Sequence, residues 1–179
     1  MSKVFLNCFE TCKCITACEH SGKTCQSYAP EYLEVLMEVK PKVVLEWGPG
    51  MNTYLALAAG ALVHSVEHNP IWIPHLHSTN FIVHAIPLED VENYVMPLKD
   101  LSSVDVFFID SGHRERCLLE ISKHCRGDAI ICLHDAQRER YHPYLKLFDY
   151  VKFLNRGFAV ASFHERVLHF PTGDPRYPA

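Results

Sequence analysis

The feature that most constrains the fold of this chain is a series of short apolar runs, each ending at a polar residue and followed by a turn or a helix-like segment. Strands are predicted at 43–45, 63–67, 81–86, 104–109 and 129–133. Apolar spacing and a first-turn proline predict helices at 30–40, 53–62, 115–124 and 143–150. Strands that alternate with helices favour an α/β fold with a mostly parallel sheet.

The sheet is expected to hold about seven strands in a three-layer sandwich. An antiparallel hairpin is predicted at its C-terminal end, from strands at 158–163 and 166–170 around His164 and Glu165. With 179 residues the chain fits a single domain. We divide 1–179 into a cysteine-rich segment at 1–29, an alternating core at 30–170 and a proline-containing tail at 171–179.

Polar residues stand at the ends of the predicted strands. The residues at these ends are Glu46, Glu67, Asp110, His134 and Asp135. In open parallel sheets ligands bind beyond the carboxyl ends of the strands. The sequence therefore predicts a ligand site at this edge of the sheet.

A glycine turn follows the first strand and opens a helix. It contains Gly48, Pro49 and Gly50, but Thr53 stands where the dinucleotide fingerprint has its third glycine. The carboxylate of Glu46 would oppose a pyrophosphate on this turn, and it suits a cofactor with an ammonium group and a sulfonium. Glu67 follows Gly48 by 19 residues, the usual spacing for a carboxylate that bonds ribose hydroxyls.

The segments 43–50 and 65–69 resemble the first two motifs of class I S-adenosylmethionine-dependent methyltransferases, and the resemblance spans about 40–170. It implies a Rossmann-like fold, with Glu46 and the glycine turn on the methionine part, Glu67 on the ribose and His68 near the adenine. Residues 86–89 fall where that family contacts the adenine edge. The cofactor contacts implied by the resemblance are Glu46, Gly48, Pro49, Gly50, Thr53, Glu67, His68, Pro87, Leu88 and Asp110.

Two later segments, 107–114 and 130–135, resemble the fourth- and fifth-strand motifs of small-molecule O-methyltransferases of the catechol and macrocin types. This implies a divalent metal held by Asp110, His134 and Asp135, which would position a substrate hydroxyl and lower its pKa. Histidine is an unusual ligand for magnesium, a hard ion, and suits manganese, iron or zinc better.

The residues themselves leave two metal-free interpretations open. His113 or His134 could be the general base, with Asp135 orienting the neighbouring imidazole. Alternatively, Asp110 and Asp135 could cap the helices that follow their strands. We favour the base slightly, because two imidazoles occur in this region. Among the other aromatic and histidine residues, Trp72 is interpreted as a packing residue, and His75 and His77 as surface imidazoles.

Five of the eight cysteines lie in the first 25 residues: Cys8, Cys12, Cys14, Cys18 and Cys25. They could hold zinc or an iron–sulfur cluster, although helical spacing would point the two Cys-x3-Cys pairs in opposite directions. The other interpretations are reduced thiols that close over the cofactor site, and disulfides. No apolar leader precedes them, so we expect a cytoplasmic protein.

The expected function is methyl transfer from S-adenosylmethionine to a small-molecule acceptor, at oxygen. The alternatives are a non-catalytic or regulatory protein that binds the same cofactor, and a dinucleotide-dependent oxidoreductase, which Glu46 and Thr53 disfavour. The net charge of −4 argues against nucleic acid, and no apolar run is long enough to cross a membrane. A homodimer is compatible with the sequence.

Overall fold

The computed structural model describes residues 28–155 and 157–164. Their helices are α1 (Ala29–Val39), α2 (Met51–Ala58), α3 (Val91–Val95), α4 (Arg114–His124) and α5 (His142–Leu145). Their strands are β1 (Val43–Trp47), β2 (Leu62–Glu67), β3 (Phe81–Ala85), β4 (Val106–Ile109), β5 (Ile130–His134), β6 (Tyr150–Asn155) and β7 (Phe158–Ser162). No helix in this described part is long and apolar enough to cross a membrane.

The strands form one seven-stranded sheet in the order β3-β2-β1-β4-β5-β7-β6. β1 to β5 are parallel to their neighbours in this group. β7 runs antiparallel to β5, and β6 runs antiparallel to β7. The predicted fold class, a mostly parallel α/β sheet that ends in an antiparallel hairpin, is therefore confirmed.

Helices cover both faces of the sheet and make two cores. On one face, Val44, Val106 and Phe108 pack with residues of α1 and α2. On the opposite face, Leu45 and Phe107 pack with residues of α4 and α5. Because side chains alternate along a strand, neighbours in the central strands enter different cores. This explains why these strands are apolar except at Glu46 in β1 and His134 at the end of β5.

The first helix begins and ends where the sequence predicts. α1 has Pro30 in its first turn, where the missing N–H of proline costs nothing. It stops at Lys40, whose left-handed φ of 50° precedes Pro41. α2 starts earlier and ends earlier than predicted, at Met51 and Ala58. Its end is followed by Gly60, which adopts a φ of +89° that glycine accommodates most easily.

One strand of the hairpin is as predicted, and its described partner is a different strand. β7 matches the predicted strand at 158–163, but its partner is β6. The helix predicted over 143–150 was wrong in its second half, because α5 ends at Leu145 and β6 begins at Tyr150. β6 is an edge strand whose first residues are exposed, so it lacks the apolar pattern of a buried strand. The predicted partner at 166–170 lies outside the described residues.

Candidate functional site

Strand register brings the predicted site residues to one edge of the sheet. Trp47 of β1 pairs with Ile109 of β4, and Ile109 pairs with Leu133 of β5. The next residues along these strands, Gly48, Asp110 and His134, therefore lie side by side. A cavity of about 640 Å³ opens at this edge, within the size range of small-molecule sites. Its wall includes Tyr28, Gly48, Pro49, Gly50, Glu67, His68, Ile71, Trp72, His75, Asp110 and Ser111.

The glycine turn packs directly against the end of β4. Gly48 has a φ of +89°, and a Cβ atom added there would lie 2.6 Å from the carbonyl oxygen of Asp110. The N–H of Gly48 also donates to the carbonyl of Val66, at 3.1 Å. Only glycine combines this backbone conformation with such close approach. The turn therefore lies in close contact with the end of β4, and Gly48, Pro49 and Gly50 line the cavity.

Glu46 is fully buried behind this turn, and it is absent from the cavity wall. Its carboxylate accepts hydrogen bonds from Asn52 Nδ2 at 2.7 Å, from Thr53 Oγ1 at 2.5 Å and from Ser65 Oγ. Burial raises the pKa of Glu46 from 4.5 to about 7, although these three hydrogen bonds act in the opposite direction.

Thr53 is also fully buried, and its Oγ1 accepts a hydrogen bond from the N–H of Gly50 at 3.0 Å. Its hydroxyl therefore connects Glu46 to the glycine turn instead of facing the cavity. In this geometry Glu46 and Thr53 support the shape of the turn. Direct contact of either side chain with a cofactor stays a prediction.

Glu67 ends β2 on the wall of the cavity. Its Oε1 accepts hydrogen bonds from the N–H groups of His68 and Asn69 at 2.8 and 2.7 Å. Within 28–155 and 157–164, Oε2 of Glu67 has no hydrogen-bond partner. The carboxylate is thus held in place through one oxygen, while the other can accept hydrogen bonds from a ligand. His68, with Nδ1 at 2.9 Å from Glu67 Oε1, lies on the same wall.

Four side chains beyond the ends of β4 and β5 form what we call the strand-end cluster: Asp110, Arg114, His134 and Asp135. The Nη2 of Arg114 donates to Asp110 Oδ1 at 2.7 Å, and its Nη1 donates to Asp135 Oδ2 at 2.9 Å. Nδ1 of His134 lies 2.8 Å from Asp110 Oδ1. Because an ionised carboxylate only accepts, this nitrogen carries the hydrogen. Arg138 adds a contact of 2.7 Å to Asp135 Oδ2.

The charges in this cluster compensate one another. Burial alone would raise the pKa of Asp135. The hydrogen bond from Arg114 lowers it, and so do the nearby charges of His134, Arg114 and Arg138. Together these outweigh burial, so the pKa of Asp135 is lowered. Burial likewise opposes the charged form of Arg114, yet its contacts with Asp110 and Asp135 leave the guanidinium pKa raised. Asp135 and Arg114 are therefore both charged at neutral pH.

The predicted metal ligands do lie together. One potential ligand atom from each of Asp110, His134 and Asp135 lies within 4.8 Å of the others, among the residues that the structure describes. Distance therefore permits a metal at this point. The guanidinium of Arg114, however, already bridges the two carboxylates.

The predicted base His113 and the predicted adenine contacts lie to one side of the cluster. Nε2 of His113 is 2.9 Å from the carbonyl oxygen of Leu88, so this imidazole connects the β4–α4 loop to the segment after β3. His113, Pro87 and Leu88 are absent from the cavity wall described above. Their roles in catalysis and adenine binding stay predictions.

Sequence reasoning missed several residues of the site, including Tyr28, Arg114 and Asn52, and misinterpreted Trp72. Tyr28 lines the cavity, its hydroxyl donates to Asn52 Oδ1 at 3.1 Å, and its ring contacts that of His134 at a centroid distance of 4.7 Å. Arg114 and Asn52 were also missed, although Arg114 stands one helical turn after Asp110 in the sequence. Trp72 is 61% exposed on the cavity wall, so its interpretation as a packing residue was wrong.

The predicted N-terminal cysteine ligands are Cys8, Cys12, Cys14, Cys18 and Cys25, and they lie outside the described residues. The three described cysteines carry free thiols. Cys117 and Cys132 are buried in the two cores, where burial raises the pKa of each thiol. These two side chains therefore act as small apolar groups.

No protein-family model matches this sequence, and no curated protein matches it either. Solved structures do match the fold. A Podospora anserina methyltransferase with S-adenosylhomocysteine bound is 11% identical, with a TM-score of 0.63 over 92% of this chain and 89% of that chain. A methyltransferase from Geobacter sulfurreducens is 13% identical, with a TM-score of 0.63 over 90% of both chains.

A third structure is the MycE methyltransferase from the mycinamycin biosynthetic pathway, in complex with Mg, S-adenosylhomocysteine and mycinamycin VI. It is 11% identical, with a TM-score of 0.58 over 80% of this chain and 47% of that chain. The three proteins share an architecture with this chain at low sequence identity. The chain therefore has the fold of S-adenosylmethionine-dependent methyltransferases.

Proposed function

We propose that this protein binds S-adenosylmethionine and transfers its methyl group to the oxygen of a small-molecule acceptor. The observation that carries the proposal is the shape of the cavity. The glycine turn packed against Asp110 and a buried carboxylate with one available oxygen line the same cavity. The similarity in fold to methyltransferases that contain S-adenosylhomocysteine supports this choice of ligand.

In this proposal, the β1–α2 turn holds the methionine part and Oε2 of Glu67 accepts hydrogen bonds from ribose hydroxyls. A carboxylate suits two neighbouring hydroxyls because it has acceptor sites and no hydrogen to donate. A dinucleotide is disfavoured, since Glu46 lies directly behind the turn where a pyrophosphate would sit. The absence of phosphate from S-adenosylmethionine removes this conflict.

S-adenosylmethionine supplies a methyl group made electrophilic by the sulfonium. The chain would contribute a base and would align the acceptor molecule. Asp110 holds the Nδ1 hydrogen of His134, which leaves Nε2 of the imidazole as the acceptor for a hydroxyl proton. The acceptor oxygen would bond to the methyl carbon as the carbon–sulfur bond breaks, and positioning can provide much of the rate of such an in-line displacement.

The first test is isothermal titration calorimetry of the full chain with S-adenosylhomocysteine, S-adenosylmethionine and NAD. We expect both sulfur compounds to bind and NAD not to bind. Glu67→Ala should weaken the binding of S-adenosylhomocysteine by about 1.5–3 kcal/mol, the magnitude of a hydrogen bond to a charged group. Glu92→Ala is the matched control, because Glu92 is an exposed carboxylate of α3 away from the cavity.

Failure of both sulfur compounds to bind would overturn the proposal, and equal affinity in folded Glu67→Ala would remove Glu67 from the site. Turnover is then measured with labelled S-adenosylmethionine and a panel of hydroxyl-containing acceptors. His134→Gln should lose methyl transfer while retaining its affinity for S-adenosylhomocysteine. Tight binding with no transfer to any acceptor would favour the alternative of a regulatory protein.

A further inference from the structure

We propose that Arg114 is the resident cation of the strand-end cluster and occupies the place that a divalent metal would take between Asp110 and Asp135. The geometry points to this directly. One guanidinium spans both carboxylates, with Nη2 at 2.7 Å from Asp110 Oδ1 and Nη1 at 2.9 Å from Asp135 Oδ2. These are the short distances of charge-assisted hydrogen bonds.

The charge balance of the cluster leaves little attraction for a divalent ion. Two carboxylates face the guanidinium groups of Arg114 and Arg138, so their formal charges cancel before any metal is added. Magnesium and manganese sites depend on anionic oxygen ligands whose charge is not already compensated. A metal bound here would add two positive charges beside a fixed guanidinium.

Arg114 is also hard to displace. It is 8% exposed, and its Nη1 lies 3.3 Å from the carbonyl oxygen of His134 and 3.4 Å from the hydroxyl of Tyr141. The guanidinium lies 5.7 Å from the centre of the Tyr141 ring. Arg114 is moreover the first residue of α4, whose N-terminus adds partial positive charge at the same point. A metal could replace this side chain only by breaking all of these contacts.

The consequence for function rests on the proposed methyl transfer. A fixed guanidinium would orient Asp110, and through it His134, without the exchange of an ion. Arg114 is thus a positioning residue that acts through Asp110, and methyl transfer should persist in the presence of a chelator. The inference about Arg114 itself concerns cation binding and can be tested without any acceptor or cofactor.

Mn²⁺ is the probe, because the loss of its free EPR signal counts bound ions. The full chain, stripped with chelator and desalted, is titrated with Mn²⁺. We expect the wild-type protein to bind no more Mn²⁺ than the Asp135→Asn variant does. Arg114→Ala should bind one equivalent of Mn²⁺ at least about ten-fold more tightly than the wild type. The double variant Arg114→Ala, Asp135→Asn should lose this gain.

Two further variants test whether the gain in Mn²⁺ affinity depends on Arg114 itself or on any loss of positive charge nearby. Arg138→Ala removes a half-exposed guanidinium from the same Asp135 carboxylate but leaves Arg114 in place, so it should gain no comparable affinity. Arg114→Lys keeps a positive charge and should also bind no Mn²⁺. If Arg114→Ala does not fold, Arg114→Met, which keeps apolar volume in the buried site, takes its place.

The inference is overturned by either of two results. One is a stoichiometric Mn²⁺ site in the wild-type protein that Asp135→Asn removes. The other is a folded Arg114→Ala or Arg114→Met variant with no gain over the wild type, since the guanidinium would then not occupy a cation site. A failure of S-adenosylhomocysteine to bind would overturn the proposed function and leave this result unaffected.

Discussion

Individual carboxylates at this edge of the sheet are stabilised in different ways. Asp110 and Asp135 share the guanidinium of Arg114, so their charges are balanced within the cluster. Glu46 instead accepts hydrogen bonds from the uncharged side chains of Asn52 and Thr53, together with Ser65. Burial without an opposite charge favours the neutral form of an acid. Ionisation of Glu46 should therefore lower the stability of the fold.

We expect Glu46 to lower stability as pH rises from 4.5 to about 7. The folded state holds the proton up to its raised pKa of about 7, whereas the unfolded chain releases it near 4.5. The stabilising contribution is complete below pH 4.5 and lost as pH passes 7, a loss of about 3 kcal/mol at about 1.4 kcal/mol per unit. Glu46→Gln, measured by urea unfolding across this range, should remove that part of the pH dependence.

The exposed Glu92→Gln is the control, and it should keep the wild-type pH profile. The comparison uses the difference between the wild-type and variant curves, because other titrating groups contribute equally to both. The same slope in wild type and folded Glu46→Gln would contradict the raised pKa of Glu46.

Among the elements, the β1–α2 turn determines how closely the strand ends approach one another. Gly48 stands against the carbonyl of Asp110, and the turn is linked to the buried hydrogen bonds of Glu46 by Thr53 and Asn52. Because the turn is packed against Asp110 on one side and linked to Glu46 on the other, it offers a fixed surface to a ligand. The position of the turn therefore depends on Gly48 having no side chain.

Gly48→Ala and Gly60→Ala form a matched pair that isolates this contact. Both glycines have a φ of +89°, but a Cβ at Gly60 would meet nothing within 4 Å, while one at Gly48 would clash with backbone. Gly60→Ala should cost about 1–2 kcal/mol of stability from its backbone conformation alone. Gly48→Ala should cost about 1–3 kcal/mol more from overpacking and should also weaken the binding of S-adenosylhomocysteine.

Chemical denaturation measures the stability of each variant, and calorimetry measures its affinity. Equal losses of stability in the two variants would mean that the turn moves away from β4 without cost. Unchanged affinity in Gly48→Ala would mean that the ligand does not approach this backbone.

At the scale of the whole molecule, the cavity is assembled from segments distant in sequence. Tyr28 precedes α1, Gly48 follows β1, Glu67 ends β2, Trp72 lies in the connection to β3, and Asp110 follows β4. Among the described residues, this connection contains one short 3₁₀ turn, Pro70–Trp72, and Trp72 is exposed at its end. The cavity thereby acquires an exposed aromatic wall.

Tryptophan fluorescence should report the occupancy of this cavity. The chain has two tryptophans, of which Trp47 is fully buried in the core and Trp72 is 61% exposed on the cavity wall. We expect S-adenosylhomocysteine to change the emission of the wild-type protein, and Trp72→Phe to lose most of this change while calorimetry still detects binding. A full change of emission in Trp72→Phe would place the bound ligand away from this wall.

The order of the five parallel strands along the chain and the identity of the polar strand ends follow from the sequence alone. Both are local properties. The apolar runs of β1, β4 and β5 identify them as buried strands, and parallel strands necessarily bring their carboxyl ends to the same edge. Glu67 and Asp110 were therefore predictable as neighbours of one site, as was His134.

Contacts between distant elements determine which side chains meet at that edge and which are covered. Arg114 and Asp135 are 21 residues apart, and their contact depends on the packing of α4 against β5 rather than on any local pattern. The burial of Glu46 behind its turn depends likewise on Ser65 from the neighbouring strand. β6 escaped prediction because an edge strand with exposed side chains carries no periodic apolar signal. Local sequence encodes element type and direction, whereas charge compensation and exposure arise from contacts between elements.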